Sequence, residues 1–325
     1  MVRKRIAALF ARAHQTGAVV LIFLALAACA PELAPEGTSD SGAAIIDNSF
    51  VTRDGLRLPL RRWEAPKPQA IVVALHGMSD YSEAFDLPGP WWASHGVSVY
   101  AYDQRGFGAA PDPGFWAGET AMRQDLDDFV DVMHAKYPRV PVYALGESMG
   151  GSVVLKALAS AHPPHVAGVV LVAPAVWSRE DMPFVYGTVL WITAHVVPGM
   201  HVSGEGLHIL ATNNFPLLRK LSRDPLYQHS ARVDQVYGLV NLMSDAREAP
   251  QHLNAPPPIL FVYGGDDQVI PAKPTEAVLA ELGSKATAIR YPDGYHMLLR
   301  DLEGPARWAD ILAWIEKTDN AESLR

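Results

Sequence analysis

The chain has 325 residues, of which 49% are hydrophobic and 19% are charged. These values are those of a folded globular protein and exclude a disordered or collagen-like chain. The formal net charge is −8. It becomes more negative without residues 1–28, which hold basic but no acidic side chains. Because an acidic body is repelled by phosphate backbones, we expect no nucleic-acid partner.

The first 28 residues have the composition of a secretory signal. Basic side chains precede the uncharged apolar run Gly17–Ala28, and small and polar residues follow it. A run of this length is too short to span a bilayer comfortably and is typical of a segment removed on export. We therefore predict a lipoprotein-type signal peptide over residues 1–28 and a tether with few large apolar groups over residues 29–48.

Cys29 is the only cysteine of the chain and ends the stretch Leu26–Cys29. This stretch resembles a bacterial lipoprotein box, in which the cysteine is acylated and becomes the new N-terminus. The resemblance implies a lipid anchor on Cys29 in a bacterial cell envelope. With Ala30 as the next residue, it implies the periplasmic face of the outer membrane. The alternative is an ordinary spare cysteine, and a catalytic thiol is not expected because no base lies nearby in the sequence.

From about residue 49 onward, short apolar runs alternate with helical patterns. A hairpin is predicted about the turn Arg53–Gly55. Buried strands are predicted at residues 70–77, 97–103, 141–146, 166–175, 259–265 and 287–292. Apolar residues at steps of three and four predict helices over residues 122–137, 149–161 and 305–317. This alternation predicts the α/β class, with a mostly parallel sheet flanked by helices.

One long region interrupts the alternation. Residues 176–250 separate two predicted strands by far more than a simple crossover needs. We interpret them as a helical cap inserted after the sixth predicted strand, with the α/β core formed by residues 49–175 and 251–325. An apolar stripe in the cap indicates either a site for a lipid-like acyl chain or packing of the cap on the core. Its members are Phe184, Val185, Tyr186, Val189, Leu190 and Trp191.

The stretch Gly146–Gly150 has the pattern G-x-S-x-G between a predicted strand and a predicted helix. A nucleophilic serine needs its hydroxyl on a tight turn between closely spaced backbones, so small residues must flank it. We therefore predict Ser148 as the nucleophile. Acyl transfer also needs donors for the developing oxyanion, and we expect the backbone N–H groups of Met149 and Met78. His76 is expected to shape its loop and not to transfer protons.

A serine nucleophile needs a base, and the base needs an acid that orients it. His296 is the only histidine beyond residue 252 and follows the last predicted strand, so it is the expected base. Asp266 and Asp267 both follow the preceding strand, and chain order alone leaves both open. The histidines of the cap show no metal-ligand spacing. We expect neither a metal nor an organic cofactor.

Several motifs occur together in a familiar order: "HGMSDYSEAF", "YAYDQRGFG", "GESMGG", "SRDPL", "GGDDQVIP" and "GYH". They are similar to the monoacylglycerol lipase and lysophospholipase group of α/β hydrolases, which is often grouped with serine aminopeptidase-like hydrolases. The resemblance implies the α/β-hydrolase fold, with Ser148 as nucleophile, Asp267 as orienting acid and His296 as general base. Glu147 departs from the pattern, because many members have histidine there.

The resemblance implies hydrolysis of a carboxylic ester, such as a monoacylglycerol or lysophospholipid, by a membrane-anchored enzyme. One alternative is an amide-directed, aminopeptidase-like hydrolase, for which Glu180 and Asp181 could recognise an amine. A second alternative is a lipid-binding lipoprotein that keeps the hydrolase fold without turnover. The complete set of triad residue types argues against this second alternative.

Overall fold

The computed structural model describes residues 30–40 and 42–322 of the chain. The predicted signal peptide and Cys29 lie outside these residues. The strands are β1 Ala44–Ile46, β2 Ser49–Val51, β3 Arg57–Trp63, β4 Ala70–Leu75, β5 Val97–Tyr102, β6 Val142–Glu147, β7 Gly168–Val172, β8 His201–Val202, β9 Ala231–Arg232, β10 Ile259–Gly264 and β11 Ala286–Tyr291. The α-helices are α1 Pro88–Ser94, α2 Glu119–Lys136, α3 Met149–Leu158, α4 Phe184–Val196, α5 Phe215–Leu221, α6 Val233–His252, α7 Ala272–Leu282 and α8 Gly304–Glu322. Short 3₁₀ helices lie at Ser82–Phe85, Gly283–Lys285 and Leu298–Arg300.

The main sheet has the strand order β1-β2-β3-β5-β4-β6-β7-β10-β11. Strands β5, β4, β6, β7, β10 and β11 are parallel, whereas β1, β2 and β3 pair antiparallel at one edge. The central strands β4, β5 and β6 are buried along their whole length. Continuous apolar runs therefore mark them in the sequence, because both faces of a parallel sheet are covered by helices.

Each face of the sheet has its own apolar core. One core joins the sheet to helices α2, α3, α6 and α7, and the other joins it to α1 and α8. The apolar steps of three and four in α2 place Leu126, Phe129 and Met133 in the first core. Trp308 and Ile311 of α8 enter the second core in the same way.

The parallel register brings the loops that carry the predicted site residues together. Leu75 at the end of β4 pairs with Gly146 of β6, so the loop after β4 lies beside the turn after β6. Gly264 at the end of β10 pairs with Tyr291 of β11, so the next two loops also leave side by side. All four loops lie at the carboxyl ends of the strands, where open α/β sheets bind ligands.

The predicted tether is more ordered than expected. Strand β1 lies within residues 29–48 and pairs with β2, because Ala44–Ile46 is an apolar stretch able to extend the sheet. Within residues 30–40, the amide of Ala34 donates to the carbonyl oxygen of Trp116 over 2.8 Å. The amide of Gly37 donates to a carboxylate oxygen of Asp54 over 2.8 Å. Parts of the predicted tether therefore contact the body of the protein.

The predicted cap also needs narrower limits. Helix α6 begins inside the predicted cap at Val233 and ends at His252, and its residues Val240, Leu242 and Ala246 are buried in the same core as helix α3. We therefore use the name cap for residues 176–232 alone. The cap follows the sixth predicted strand, which is β7 of the structure because three strands, and not two, precede Ala70.

Most of the apolar stripe of the cap is not packed on the core. Of its six side chains, Leu190 packs against the core, while Phe184, Val185, Tyr186, Val189 and Trp191 are exposed. Helix α4 therefore presents apolar side chains to its surroundings. Among the described residues, no helix combines the length and apolar character that crossing a membrane requires.

These limits predict that shortening one side chain in each of two helices lowers the free energy of unfolding by different amounts. Leu242→Ala in α6 removes a fully buried side chain and should lower the free energy of unfolding by about 2–5 kcal/mol. Ile192→Ala in α4 is the matched control, because its side chain is 48% exposed, and it should change this free energy by less than about 0.5 kcal/mol. Urea unfolding of both variants measures the difference, and equal costs would contradict the new cap limits.

Candidate active site

Ser148 lies on a sharp turn between strand β6 and helix α3. Its backbone has φ 53° and ψ −116°, a combination that non-glycine residues rarely adopt. Such strain costs on the order of 1–3 kcal/mol and persists only where the surrounding structure enforces it. The amide of Ser148 donates to Val172 O over 3.0 Å, and its carbonyl oxygen accepts from the amide of Ala175, also over 3.0 Å. These bonds to the chain after β7 hold the turn in place.

The glycines of this turn are required by close backbone approach. A Cβ atom on Gly146 would overlap the carbonyl oxygen of Gly150. A Cβ atom on Gly150 would overlap the carbonyl oxygen of Leu75 at the end of β4. The pattern G-x-S-x-G therefore reflects packing of the turn against itself and against the neighbouring strand.

His296 connects the serine to a carboxylate. Its Nε2 lies 2.9 Å from Ser148 Oγ, and its Nδ1 lies 2.8 Å from Asp267 Oδ2. In the neutral imidazole, Nδ1–H donates to the carboxylate and Nε2 accepts from the serine hydroxyl. His296 is 6% exposed, so little water competes for these bonds. The three predicted triad residues are thus in one continuous hydrogen-bond chain.

The structure also distinguishes between the two aspartates. Asp267 Oδ1 accepts the amides of Val269 and Ile270 over 2.8 Å and 3.0 Å, and its other oxygen faces His296. Burial raises the pKa of Asp267. His296 and the two amides lower this pKa by more than burial raises it, so the pKa lies below its ordinary value. Asp267 is therefore ionised beside the imidazole. Asp266 is exposed, and Asp267 is the one that contacts His296.

The loop after β4 passes next to Ser148. A Cβ atom on Gly77 would lie 3.1 Å from Ser148 Cβ and 3.6 Å from its Oγ. Met149 is the first residue of helix α3, so its N–H has no partner within that helix. Within residues 42–322, the amides of Met78 and Met149 donate no hydrogen bond to another residue. Both amides are therefore available for an oxyanion next to the serine.

His76 has a structural role in this loop. Its Nε2 accepts the amide of Gln104 over 2.9 Å, and its Nδ1 donates to the carbonyl oxygen of Gly77 over 2.8 Å. The side chain is fully buried, and burial lowers the pKa of His76, which keeps the ring neutral. Both ring nitrogens are engaged within the loop, as expected for a residue that shapes it.

A buried group of charges joins three of the loops around the site. Arg300 Nη2 lies 2.6 Å from Asp80 Oδ2 and 3.2 Å from Glu147 Oε2, and all three side chains are at most 4% exposed. Asp80 belongs to the loop after β4, and Glu147 immediately precedes Ser148. Arg300 follows His296 by four residues. We call these three residues the charge cluster.

Sequence reasoning missed the charge cluster apart from noting Glu147 as a departure from the family pattern. The available signal was one charged residue of the cluster within each of the stretches "HGMSD", "GES" and "GYHMLLR". Such residues have the same pattern whether they are exposed or buried, because only the packing of the loops brings opposite charges together. Burial raises the pKa of Glu147, and the charge of Arg300 partly offsets this rise.

The strained serine turn, the imidazole and carboxylate, and the two free amides lie at the carboxyl edge of a mostly parallel sheet. Together they define an α/β hydrolase with a Ser-His-Asp arrangement. The chain belongs to the family described as Hydrolase_4, serine aminopeptidase, S33, whose model matches residues 66–303. It is a serine ester hydrolase.

Similar proteins carry related names. The chain is 25% identical over 280 residues to a monoacylglycerol lipase of Mycolicibacterium smegmatis, covering 83% of this chain and 96% of that protein. It is also 25% identical over 265 residues to the monoglyceride lipase of Homo sapiens, covering 78% of this chain and 84% of that protein. A solved structure of a soluble variant of Saccharomyces cerevisiae monoglyceride lipase, in complex with a substrate analog, has the same fold. Its TM-score is 0.72 at 18% identity, covering 88% of this chain and 99% of that chain.

The charge cluster yields a stability prediction. Arg300→Met leaves two carboxylates buried without a cation and should lower the free energy of unfolding by about 3–5 kcal/mol at neutral pH. The loss should shrink as the pH falls. A buried carboxyl has a folded-state pKa above its unfolded value, so its ionised form destabilises the fold and protonation relieves that effect. Urea unfolding at neutral and mildly acidic pH measures both effects.

The matched control is Arg290→Met, because the Arg290 side chain is 53% exposed and its Nη1 lies 4.0 Å from Glu276 Oε1. Such an exposed pair contributes about 0–1 kcal/mol, so little change is expected. A loss for Arg300→Met that stays the same at both pH values would mean that side-chain packing, and not uncompensated charge, causes it.

Proposed function

We propose that the chain hydrolyses lipid esters of the monoacylglycerol or lysophospholipid type through an acyl-enzyme on Ser148. The hydrogen-bond chain from Ser148 through His296 to Asp267 carries this proposal. The named lipase relatives support a lipid-like ester as the substrate class. A similar protein of Bacillus subtilis is named a phospholipase, which keeps lysophospholipids within the proposal.

The first half-reaction follows from the geometry. Ser148 Oγ attacks the ester carbonyl carbon while His296 Nε2 takes the hydroxyl proton. The carbonyl oxygen becomes negative, and the amides of Met78 and Met149 stabilise it. The tetrahedral intermediate then breaks the carbon–oxygen bond to the alcohol, and His296 returns the proton to the leaving oxygen. Asp267 holds the imidazole in the required tautomer and stabilises its charged form.

The second half-reaction regenerates the enzyme. His296 removes a proton from water, and the hydroxide attacks the acyl carbon bound to Ser148 Oγ. The bond to Ser148 Oγ then breaks, the serine recovers its proton from His296 and the fatty acid leaves. No step requires a group beyond the residues already described.

An amide substrate is the second candidate, because the family description is that of a serine aminopeptidase. Asp181, one of the two acidic residues at the start of the cap, does not favour it. Asp181 accepts from Ser178 Oγ over 2.7 Å and lies 3.7 Å from Arg247 Nε. Its charge is therefore already partnered within the protein. A complete hydrogen-bonded triad likewise argues against a lipoprotein that only binds lipid.

The nucleophile is tested by active-site labelling. A fluorophosphonate probe should label the wild-type protein and not Ser148→Ala, and ester turnover should fall by on the order of a million-fold in that variant. Asp267→Asn should lower turnover by about 10⁴-fold, because the side-chain NH₂ group that would face Nδ1 donates to it and holds the imidazole in the wrong tautomer.

Asp266→Asn is the matched control for the acid, and it should retain near-normal turnover because Asp266 is exposed. A folded wild-type protein that the probe leaves unlabelled would overturn the nucleophile. Comparison of monoacylglycerols, lysophospholipids and aminoacyl amides as substrates separates the ester from the amide proposal. Faster cleavage of the aminoacyl amides would replace the first proposal with the second.

We also propose that Cys29 is acylated and holds the enzyme in a bacterial cell envelope, at the periplasmic face of the outer membrane. The support is the apolar run that ends in Leu26–Cys29, the basic residues before it and Ala30 after it. The acidic body gives no electrostatic attraction to anionic lipid, so attachment depends on an apolar anchor.

Mass spectrometry of the mature N-terminus tests the anchor. We expect a chain that begins at Cys29 and carries acyl groups, and a Cys29→Ser variant that is not acylated. That variant should retain activity on water-soluble esters, because the triad lies in another part of the chain. An unmodified N-terminus at any other residue would refute the anchor.

A further inference from the structure

One segment of the cap is tied to the loops that carry the acid and the base. Residues 210–214 lie between strand β8 and helix α5, and each of the five forms a hydrogen bond to the loop after β10 or to the loop after β11. We call this segment the clamp. Its first bond reaches the acid loop, where the amide of Leu210 donates to Oε1 of Gln268 over 3.0 Å. Gln268 directly follows Asp267.

The other four residues of the clamp bond to the loop after β11, which carries His296. Asn213 Oδ1 accepts the amide of Leu302 over 2.8 Å. Asn214 Nδ2 donates to the carbonyl oxygen of Arg300 over 2.9 Å. The clamp therefore runs along this loop and is attached to it at several points.

Two hydrogen bonds hold the backbone on either side of His296. The amide of Met297 donates to the carbonyl oxygen of Ala211, a residue of the clamp, over 2.8 Å. The amide of Tyr295 donates to Asp301 Oδ2 over 3.0 Å. A catalytic side chain needs support of this kind, because its backbone sets the direction in which it leaves the loop.

Asp301 joins the second of these bonds to the clamp. Its other oxygen, Oδ1, accepts the hydroxyl of Thr212 over 2.7 Å, and Oδ2 also accepts from the guanidinium of Arg307. Asp301 is 3% exposed and Thr212 is fully buried, so burial keeps water from replacing the hydroxyl and keeps substrate from touching it. The hydroxyl thus reaches His296 through Asp301 and the amide of Tyr295.

We propose that Thr212 is a positioning residue for His296 and acts through Asp301. Its hydroxyl keeps the carboxylate of Asp301 against the amide of Tyr295. The fixed backbone in turn keeps His296 Nε2 within reach of Ser148 Oγ. The proposal rests on the nucleophile and base of the proposed function. A misplacement of about 1 Å costs on the order of 10²-fold in rate, so a hydrogen bond far from the reacting atoms has a measurable effect.

Removal of the hydroxyl tests the proposal. Thr212→Val has nearly the same shape and leaves Asp301 Oδ1 without this donor. On p-nitrophenyl acetate, a short water-soluble ester, we expect kcat to fall about tenfold. KM should stay within about twofold, because His296 acts in both half-reactions. Thr212→Ser retains the hydroxyl and should restore kcat.

The same variants are labelled with a fluorophosphonate probe. The second-order rate constant of labelling should fall about tenfold in Thr212→Val and recover in Thr212→Ser, because labelling needs a serine that His296 activates. The final extent of labelling counts the intact sites. Expressing kcat per labelled site removes any contribution of unfolded protein.

Thr318→Val is the matched control. Thr318 is 8% exposed, and its hydroxyl donates to the carbonyl oxygen of Trp314 over 2.8 Å within helix α8. It makes the same chemical change at a buried site outside the catalytic loops, so kcat, KM and the labelling rate should not change. A kcat for Thr212→Val equal to that of Thr318→Val would overturn the proposal. A higher KM at unchanged kcat would overturn it as well, because it would assign Thr212 to substrate binding.

The route through Asp301 is tested by combining substitutions. Asp301→Asn leaves a single oxygen for three donors, so it should also lower kcat. If Thr212 acts through Asp301, adding Thr212→Val to this variant should lower kcat by less than about twofold more. Full multiplication of the two losses would overturn the route.

The wild-type protein separates this inference from the proposed function. A folded wild type that the probe leaves unlabelled would refute the nucleophile on which both rest. A labelled and active wild type whose Thr212→Val variant is labelled at the same rate would refute the positioning role alone.

Discussion

The close approach of backbones around Gly146 and Gly150 is the constraint on which the site depends. It lets strand β6 turn directly into helix α3 with no room for side chains, and it leaves Ser148 in a strained conformation. The strain has a chemical use, because it places the hydroxyl outside the sheet and the amide of Met149 beside it. The rest of the site is arranged around this one turn.

The charge cluster holds the surrounding loops together. Arg300 contacts Asp80 of the loop after β4 and Glu147 beside Ser148, while its own loop carries His296. Buried ion pairs add little net stability, but removal of one partner is costly. The cluster therefore makes any separation of the three loops unfavourable. Glu147, which first looked only like a departure from the family pattern, becomes intelligible as one of its members.

Helix α4 of the cap and residues 30–40 lie on the outside of the α/β core. Helix α4 exposes most of its apolar side chains, and Glu32 in the segment 30–40 contacts Arg232. An acidic protein is not attracted electrostatically to an anionic membrane, so the attachment proposed for Cys29 depends on apolar contact.

The sequence by itself determined the α/β class, the central strands and the residue types of the triad. Continuous apolar runs and the glycine spacing are local patterns, because buried strands and the tight serine turn each require particular residue types. Only the tertiary structure decided which of Asp266 and Asp267 contacts His296. It also decided the charge cluster and the packing of helix α6 and of residues 30–40. Two adjacent aspartates, a buried or exposed arginine, and a covered or uncovered apolar helix have the same local pattern. What distinguishes them is which distant segment packs against them.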